Sequence, residues 1–277
     1  MTIQDQQFDQ ERALYGSSGL TVKNCRFDGP ADGESAFKES SGVTAVDNYY
    51  NLRYPFWHNK NLKVQGGQMT QNCRAALWYC DGVQINGLEM FGIKALRECK
   101  NVQINGSKID SPEFGWSVDK IAMKDVFAQS EYFMMRSGRL DFKNVSLKGK
   151  YSFQYIKNSR FESCDFDTKD AFWHAKNIVV KDCKIKGEYL AWYCQNATFI
   201  NCQISGTQPF CYCKNLRLIN CSMDGADLAF EKSSVKAFVT SPLISVKNPK
   251  SGLIQAPAVG QIIRDDSKSR AKILIRP

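Results

Sequence analysis

All five tryptophans of this chain stand in one register. Trp57 and Trp78 are 21 residues apart, Trp78 and Trp116 two steps of 19, Trp116 and Trp173 three, and Trp173 and Trp192 one. Both histidines, His58 and His174, sit one place later. This spacing defines a repeat of about 19 residues through nearly the whole chain. Repeats of that size cannot bury an apolar face alone, so they stack and share one continuous core.

The first half of each unit has a period of two. Val83-Gln-Ile-Asn-Gly-Leu-Glu-Met90, Val102-Gln-Ile-Asn-Gly-Ser-Lys-Ile109 and Leu216-Arg-Leu-Ile-Asn-Cys-Ser-Met223 alternate apolar and polar residues before a turn residue. Such alternation predicts a strand. The turn place holds Asn24, Asp47, Gly66, Gly87, Gly106, Asp125, Asn144, Ser163, Asp182, Asn201 and Asn220. Gly, Asn and Asp tolerate a left-handed backbone, so the chain is expected to bend there in every coil. A second corner is expected at Gly19, Gly42, Asn61, Gly82, Asn101, Asn158, Asn177, Asn196 and Asn215. Short strands between corners, repeated coil on coil, make parallel sheets.

The unit is too short, and too strand-like in both halves, for a leucine-rich repeat. It lacks the six-residue aliphatic period of the left-handed hexapeptide helix and the five-residue period of pentapeptide solenoids. The expected fold is therefore all-β: a single-stranded right-handed parallel β-helix, one domain over 1–277. It would have about eleven coils over 11–240 and rise about 4.8 Å per coil. Residues 1–10 are expected to cap the first coil, and residues 241–277 to form a C-terminal cap and tail, because open solenoid ends expose strand edges.

Composition narrows the function classes. No run of 18 apolar residues is present, so no membrane span is expected. The N-terminus lacks a basic segment followed by an apolar one, so no secretory signal is expected. Of the 11 cysteines, Cys164, Cys183, Cys202 and Cys221 recur every 19 residues, a pattern of buried small side chains rather than metal ligands. No metal or cofactor is expected. Free thiols favour a reducing compartment, here the cytoplasm. The formal charge of +9 suits an acidic ligand, but no Lys/Arg block is dense enough to favour nucleic acid.

The second half of the unit carries two chemical lines. The tryptophan line reads Lys38, Trp57, Trp78, Arg97, Trp116, Met135, Gln154, Trp173 and Trp192; the next reads Glu39, His58, Tyr79, Glu98, Ser117, Arg136, Tyr155, His174 and Tyr193. Phe37, Phe56, Leu77, Leu96, Met134, Phe153, Phe172 and Phe210, one place before the tryptophans, read as core. Alternation then points the tryptophans outward, and two adjacent outward lines require a bend. Two readings stand. The rings either stabilise coil stacking alone, or line a groove in which a sugar or phosphosugar binds. In the second reading Trp57, Trp78, Tyr79, Arg74, Lys94, Arg97, Trp116 and Arg136 contact ligand. Glu98 and Glu113 are then candidates for acid and base in glycoside hydrolysis or lysis, and His58 for a general base. A non-catalytic protein that associates with a partner, or with a second copy of itself, through the aromatic strip is the alternative.

Gly33-Glu-Ser-Ala-Phe-Lys38, Tyr54-Pro-Phe-Trp57, Arg74-Ala-Ala-Leu-Trp-Tyr79, Gly92-Ile-Lys-Ala-Leu-Arg-Glu-Cys99 and Ser111-Pro-Glu-Phe-Gly-Trp116 resemble an uncharacterised bacterial family of single-stranded right-handed β-helices, of the pectin-lyase-like type. The resemblance covers most of the chain and implies the same fold. It implies no established activity, so it carries no catalytic residue over. The wider pectin-lyase-like group contains polysaccharide lyases and hydrolases, but fold does not fix function.

Overall fold

The alternating segments are strands, and they stack in parallel. A computed structural model describes residues 1–29 and 33–276; residues 30–32, in the span expected to coil, and Pro277, in the expected tail, lie outside the described residues. The fold is an all-β parallel β-solenoid of about 14 turns. The described chain divides into two compact units, Met1–Asp141 and Phe142–Pro277.

In the first unit Thr2–Gln4, Thr21–Lys23, Thr44–Val46, Lys60–Gln65, Asp81–Asn86 and Lys100–Asn105 pair successively in one parallel sheet. A second series, from Gln7–Phe8 through Arg26–Phe27, Tyr49–Tyr50, Gln68–Met69 and Glu89–Met90 to Lys108–Asp110, follows the first corner. Burial follows the sequence alternation: Val83 and Ile85 are buried while Gln84 and Asn86 are exposed. In the second unit Lys157–Glu162, Lys176–Lys181, Gln195–Ile200 and Lys214–Asp224 continue the first kind of sheet.

The coil count exceeds the expected eleven because both ends coil. Residues 1–10, expected to cap the stack, form a coil in register with the next: Ile3 lies beside Val22 and Phe8 beside Phe27. At the other end Leu243–Lys247 pairs with Val259–Ile263, and Ser251–Ala256 with Lys272–Ile275. The step shortens on entering these last coils and returns to 19 only from Leu253 to Lys272, which breaks the period. Ser234 pairs with Ser251, and Leu243 with Val259.

Both expected corner columns have positive φ throughout, from Asn24 (φ 49) to Asn220 (φ 52) in the first and from Gly19 (φ 60) to Asn215 (φ 53) in the second. Asparagine does more than tolerate the turn. Asn177 donates to Asn158 at 2.8 Å and accepts from Asn196 at 2.9 Å, and Asn215 donates to Asn196 at 2.9 Å. The side chains thus form a ladder from coil to coil along the second unit. Lys120 (φ 61) and Arg139 (φ 55) hold the same corner where the sequence shows no turn residue.

The cysteines also have a second role. They are buried and free, as a core column should be. Several thiols next to a corner also meet the carbonyl two residues back: Cys183 to Lys181 at 3.1 Å, Cys202 to Ile200 at 3.3 Å, Cys99 to Arg97 at 3.2 Å. Ser107 makes the same bond to Asn105 at 2.9 Å. Cysteine here is a small apolar filler that also closes the turn with a weak donor.

The expected core line is fully buried, with Phe56, Leu77, Leu96, Phe153 and Phe172 at 0 % exposure. Phe153 and Phe172 stack at 4.9 Å between centroids. The second half of the unit departs from expectation. Among the described residues its strands are Phe56–Trp57, Leu77–Trp78 and Leu96–Arg97, with single bridges from Glu34 to Arg53 and from Arg97 to Trp116. In the second unit positive φ falls instead on alternate residues, as at Tyr151, Phe153 and Tyr155, or Asp170, Phe172 and His174. That side of the coil is there a chain of turns rather than a strand.

Candidate functional site

The bend that two outward lines require is present. His58 (φ 59), Tyr79 (φ 55), Glu98 (φ 50), Ser117 (φ 55) and Arg136 (φ 58) all lie in the left-handed region, as do Tyr155, His174 and Tyr193 in the second unit. Such conformations cost non-glycine residues about 1–2 kcal/mol each. Strain at one position would draw attention to a site. Strain repeated in coil after coil is instead how this fold turns its third corner.

The tryptophans are half-buried. In the first unit Trp57 and Trp78 stack at 5.6 Å and 12°. The Lys38 ammonium covers the other face of the pair, 4.3 Å from the Trp57 centroid. Arg97 covers Trp116 at 5.3 Å, a favourable cation–π contact. In the second unit Trp173 and Trp192 stack at 5.3 Å and 4°. A sugar binds an indole through the ring face, and here at least one face of each ring is occupied by a neighbouring coil. The indole nitrogens are mostly engaged too. Trp116 donates to the Tyr132 carbonyl at 2.8 Å, Trp173 to Tyr189 at 2.7 Å, and Trp192 to Gln208 at 2.8 Å. Trp57 and Trp78 differ: their indole nitrogens are buried without a partner. These two belong to the short strands Phe56–Trp57 and Leu77–Trp78, not to the turn geometry that brings a carbonyl to the other three.

The charged candidates are paired. Lys94 Nζ lies 3.3 Å from Glu113, and Arg97 Nε 3.3 Å from Glu98. The Glu98 carboxylate beside the Tyr79 hydroxyl pushes that phenol above its ordinary value. General-acid catalysis requires a carboxyl group kept protonated in an apolar pocket. Glu98 and Glu113 instead face cations at partly exposed positions. His58 is exposed and stacks on Tyr79 at 5.0 Å. Arg136 is exposed on the third corner of the first unit.

Of the proposed ligand contacts, Arg74 borders a cleft. The cleft, of about 520 Å³, is lined by Asn51, Arg53, Gln71, Asn72, Arg74 and Ile93 among others. A hollow of about 460 Å³ shares Asn51, Gln71 and Asn72 with it and adds Tyr49, Thr70 and Phe91. The floor is tied across coils. Asn51 donates to Asp28 at 2.8 Å and accepts from Thr70 at 2.5 Å and from Asn72 at 2.9 Å. Asn51, and then Arg26, hold the Asp28 carboxyl below its ordinary value. Arg53 is 3.4 Å from Glu34, whereas Arg74 is exposed and has no ion pair among the described residues.

The cleft sits where coils are longest. Tyr15 to Lys38 spans 23 residues and Trp57 to Trp78 spans 21, against the usual 19. The extra residues fall between the second strand and the aromatic line, on either side of Asn51 and Arg53. That irregularity in repeat length was the available signal, and a search for regular spacing passes over it.

Among curated proteins none matches the sequence. Among solved structures the chain is similar to the Streptococcus pneumoniae surface protein and adhesin PfbA, at 8 % identity and TM-score 0.43, covering 95 % of this chain and 93 % of that one. It is also similar to the A-module of the Azotobacter vinelandii mannuronan C-5 epimerase AlgE6, at 9 % identity and TM-score 0.39, covering 95 % and 91 %. An alginate lyase from Paenibacillus shares 11 % identity at TM-score 0.28, over 86 % of this chain and 89 % of its own. Across residues 1–276 the chain belongs to the family described as Protein of unknown function (DUF3737).

Proposed function

We propose that the first unit binds an acidic carbohydrate in the cleft beside Arg74, without turning it over. The observation that carries this reading is the cleft itself. It combines two guanidinium groups, Arg53 and Arg74, with the amides of Asn51, Gln71 and Asn72 on a cross-linked floor. Amides donate and accept, which suits hydroxyl groups. A planar guanidinium holds a carboxylate or phosphate through two parallel bonds. Tyr49 and Phe91 border the adjoining hollow and add ring surface. Binding rather than turnover fits Glu98 and Glu113, which are absent from the lining and paired with Arg97 and Lys94. A reducing, cytoplasmic setting fits the free buried thiols.

Isothermal titration with uronic-acid oligosaccharides and their neutral counterparts tests the proposal. Acidic glycans bind, with an affinity that falls as salt rises. Arg74→Ala removes a charge-assisted bond of about 1.5–3 kcal/mol, a loss of roughly tenfold or more. Equal binding of neutral and acidic glycans, or an Arg74→Ala variant as tight as the parent, sinks the reading. Association through the aromatic strip has less support, because the stacked rings cover one another's faces.

A further inference from the structure

Three lysines recur at intervals of 18 residues in the last coils: Lys232, Lys250 and Lys268. All three line one cavity of about 280 Å³ in the second unit, together with Asn248 and Asp266. Some lysines of this unit face carboxylates, as Lys169 does Glu188 at 2.9 Å and Lys247 does Glu231 at 3.3 Å. Among the described residues Lys232, Lys250 and Lys268 have no ion pair. Like charges gathered at one site repel. Three ammonium groups face the Asp266 carboxylate in the lining and the Asp265 carboxylate tied to Asn248, which leaves an excess of one positive charge.

The walls are held without using the lysine side chains. The Asn248 carbonyl oxygen Oδ1 accepts from the Asp265 and Asp266 backbone at 3.1 and 3.2 Å, while its amide donates to the Asp265 carboxylate. Arg264 donates to the Ser269 carbonyl at 2.8 Å and to the Ala271 carbonyl at 2.6 Å. Asp266 accepts from the Lys268 backbone at 2.9 Å. Backbone bonds from Lys232 to Asn248 and from Lys250 to Ser233 fix the other sides. The walls are therefore formed in advance. The Lys250 and Lys268 ammonium groups remain to close on an anion, beside Lys232, whose ammonium lies 6.0 Å from the Tyr212 ring centroid.

We infer that this cavity binds a phosphate group, free or as a small phosphomonoester. A phosphate monoester carries about −1.5 to −2 charges near neutral pH, opposite in sign to the excess of the site. Lysine binds phosphate as a point charge. The cavity lies just below the usual span of small-molecule pockets, about 300–1,000 Å³, so the ligand is small. This site is separate from the cleft at Arg74 and stands or falls independently of it.

Titration calorimetry on the full chain, at ionic strength balanced with chloride, uses inorganic phosphate in one arm and a sugar phosphomonoester in the other. Saturable binding of both assigns the free anion, and binding of the ester alone assigns an esterified ligand. The double variant Lys250→Gln, Lys268→Gln weakens binding about tenfold or more. In the unaltered protein, phosphate slows chemical acetylation of Lys232, Lys250 and Lys268 but not of exposed Lys214. The amine readout remains decisive if the variant fails to fold. Saturation in neither arm, or acetylation of the three lysines unchanged by phosphate, overturns the inference.

Discussion

A tryptophan side chain does different work at each coil according to where its N–H points. At Trp116, Trp173 and Trp192 the indole donates to a carbonyl 16 residues onward, so the ring pins the next coil. At Trp57 and Trp78 the donor is buried and unspent. Trp173→Phe leaves the Tyr189 carbonyl without its partner, whereas Trp57→Phe removes a donor that had none. Loss of a bonded partner costs about 1–3 kcal/mol. Trp173→Phe is therefore expected to lower the urea midpoint more than Trp57→Phe, by the equivalent of about 1 kcal/mol. Equal losses would show that stacking alone sets the value of these rings. The sequence placed the rings in register and one step from the core. It did not show that their faces were already taken, because that depends on which side chain of the adjacent coil lies over each ring.

At the scale of the element, the corners carry the regularity of this molecule. Two columns of Asn, Asp and Gly were legible as left-handed turns, since few other residues adopt that conformation cheaply. The third column was legible only as a bend, because Tyr, His, Glu and Arg carry no such signature. Asn177 tests what the ladder adds to the turn. Asn177→Gly keeps the backbone free of strain but cuts the bonds to Asn158 and Asn196. Asn177→Ala cuts the bonds and adds about 1–2 kcal/mol of left-handed strain. Denaturation midpoints should fall in the order parent, glycine, alanine, with alanine lower by about 2 kcal/mol in all. A glycine variant matching the parent would make the asparagine bonds irrelevant to stability.

Across the whole molecule, ionisation sets limits at both ends of the pH scale. Asp5, Asp28, Asp119 and Asp182 are each held below their ordinary value of 3.8, chiefly by Asn24, Asn51, Arg139 and Asn201 respectively. A carboxyl lowered on folding stabilises above the unfolded value and loses that contribution as pH falls through the folded one. Burial raises Asp170, which acts in the opposite sense, but it is one group against four. The melting temperature should therefore fall below pH about 4. At the alkaline end burial pushes Cys73 up to about 11 and Cys213 up to about 12, from 9.0. Those groups are raised, so their contribution is intact below the unfolded value and is lost as pH climbs past 9. Melting scans across pH check both limbs. A curve flat from pH 3 to 11 would remove the roles assigned to the carboxylates and thiols. Thiol titration adds a count: the 11 cysteines, all buried, should stay unreactive in the native protein and react together on unfolding.

Parallel coiling, its two turn columns and its aromatic core line followed from the chain alone, because each depends on residues a fixed step apart. Alternation, turn tolerance and apolar size repeat locally, and a period makes local preferences add. The terminal coils, the turn-built third side and the cleft at Arg74 break that step. Their form depends on what an adjacent coil presents: a carbonyl to an indole, a carboxylate to a lysine, a longer loop beside Asn51. Only stacking decides which of those partners meet.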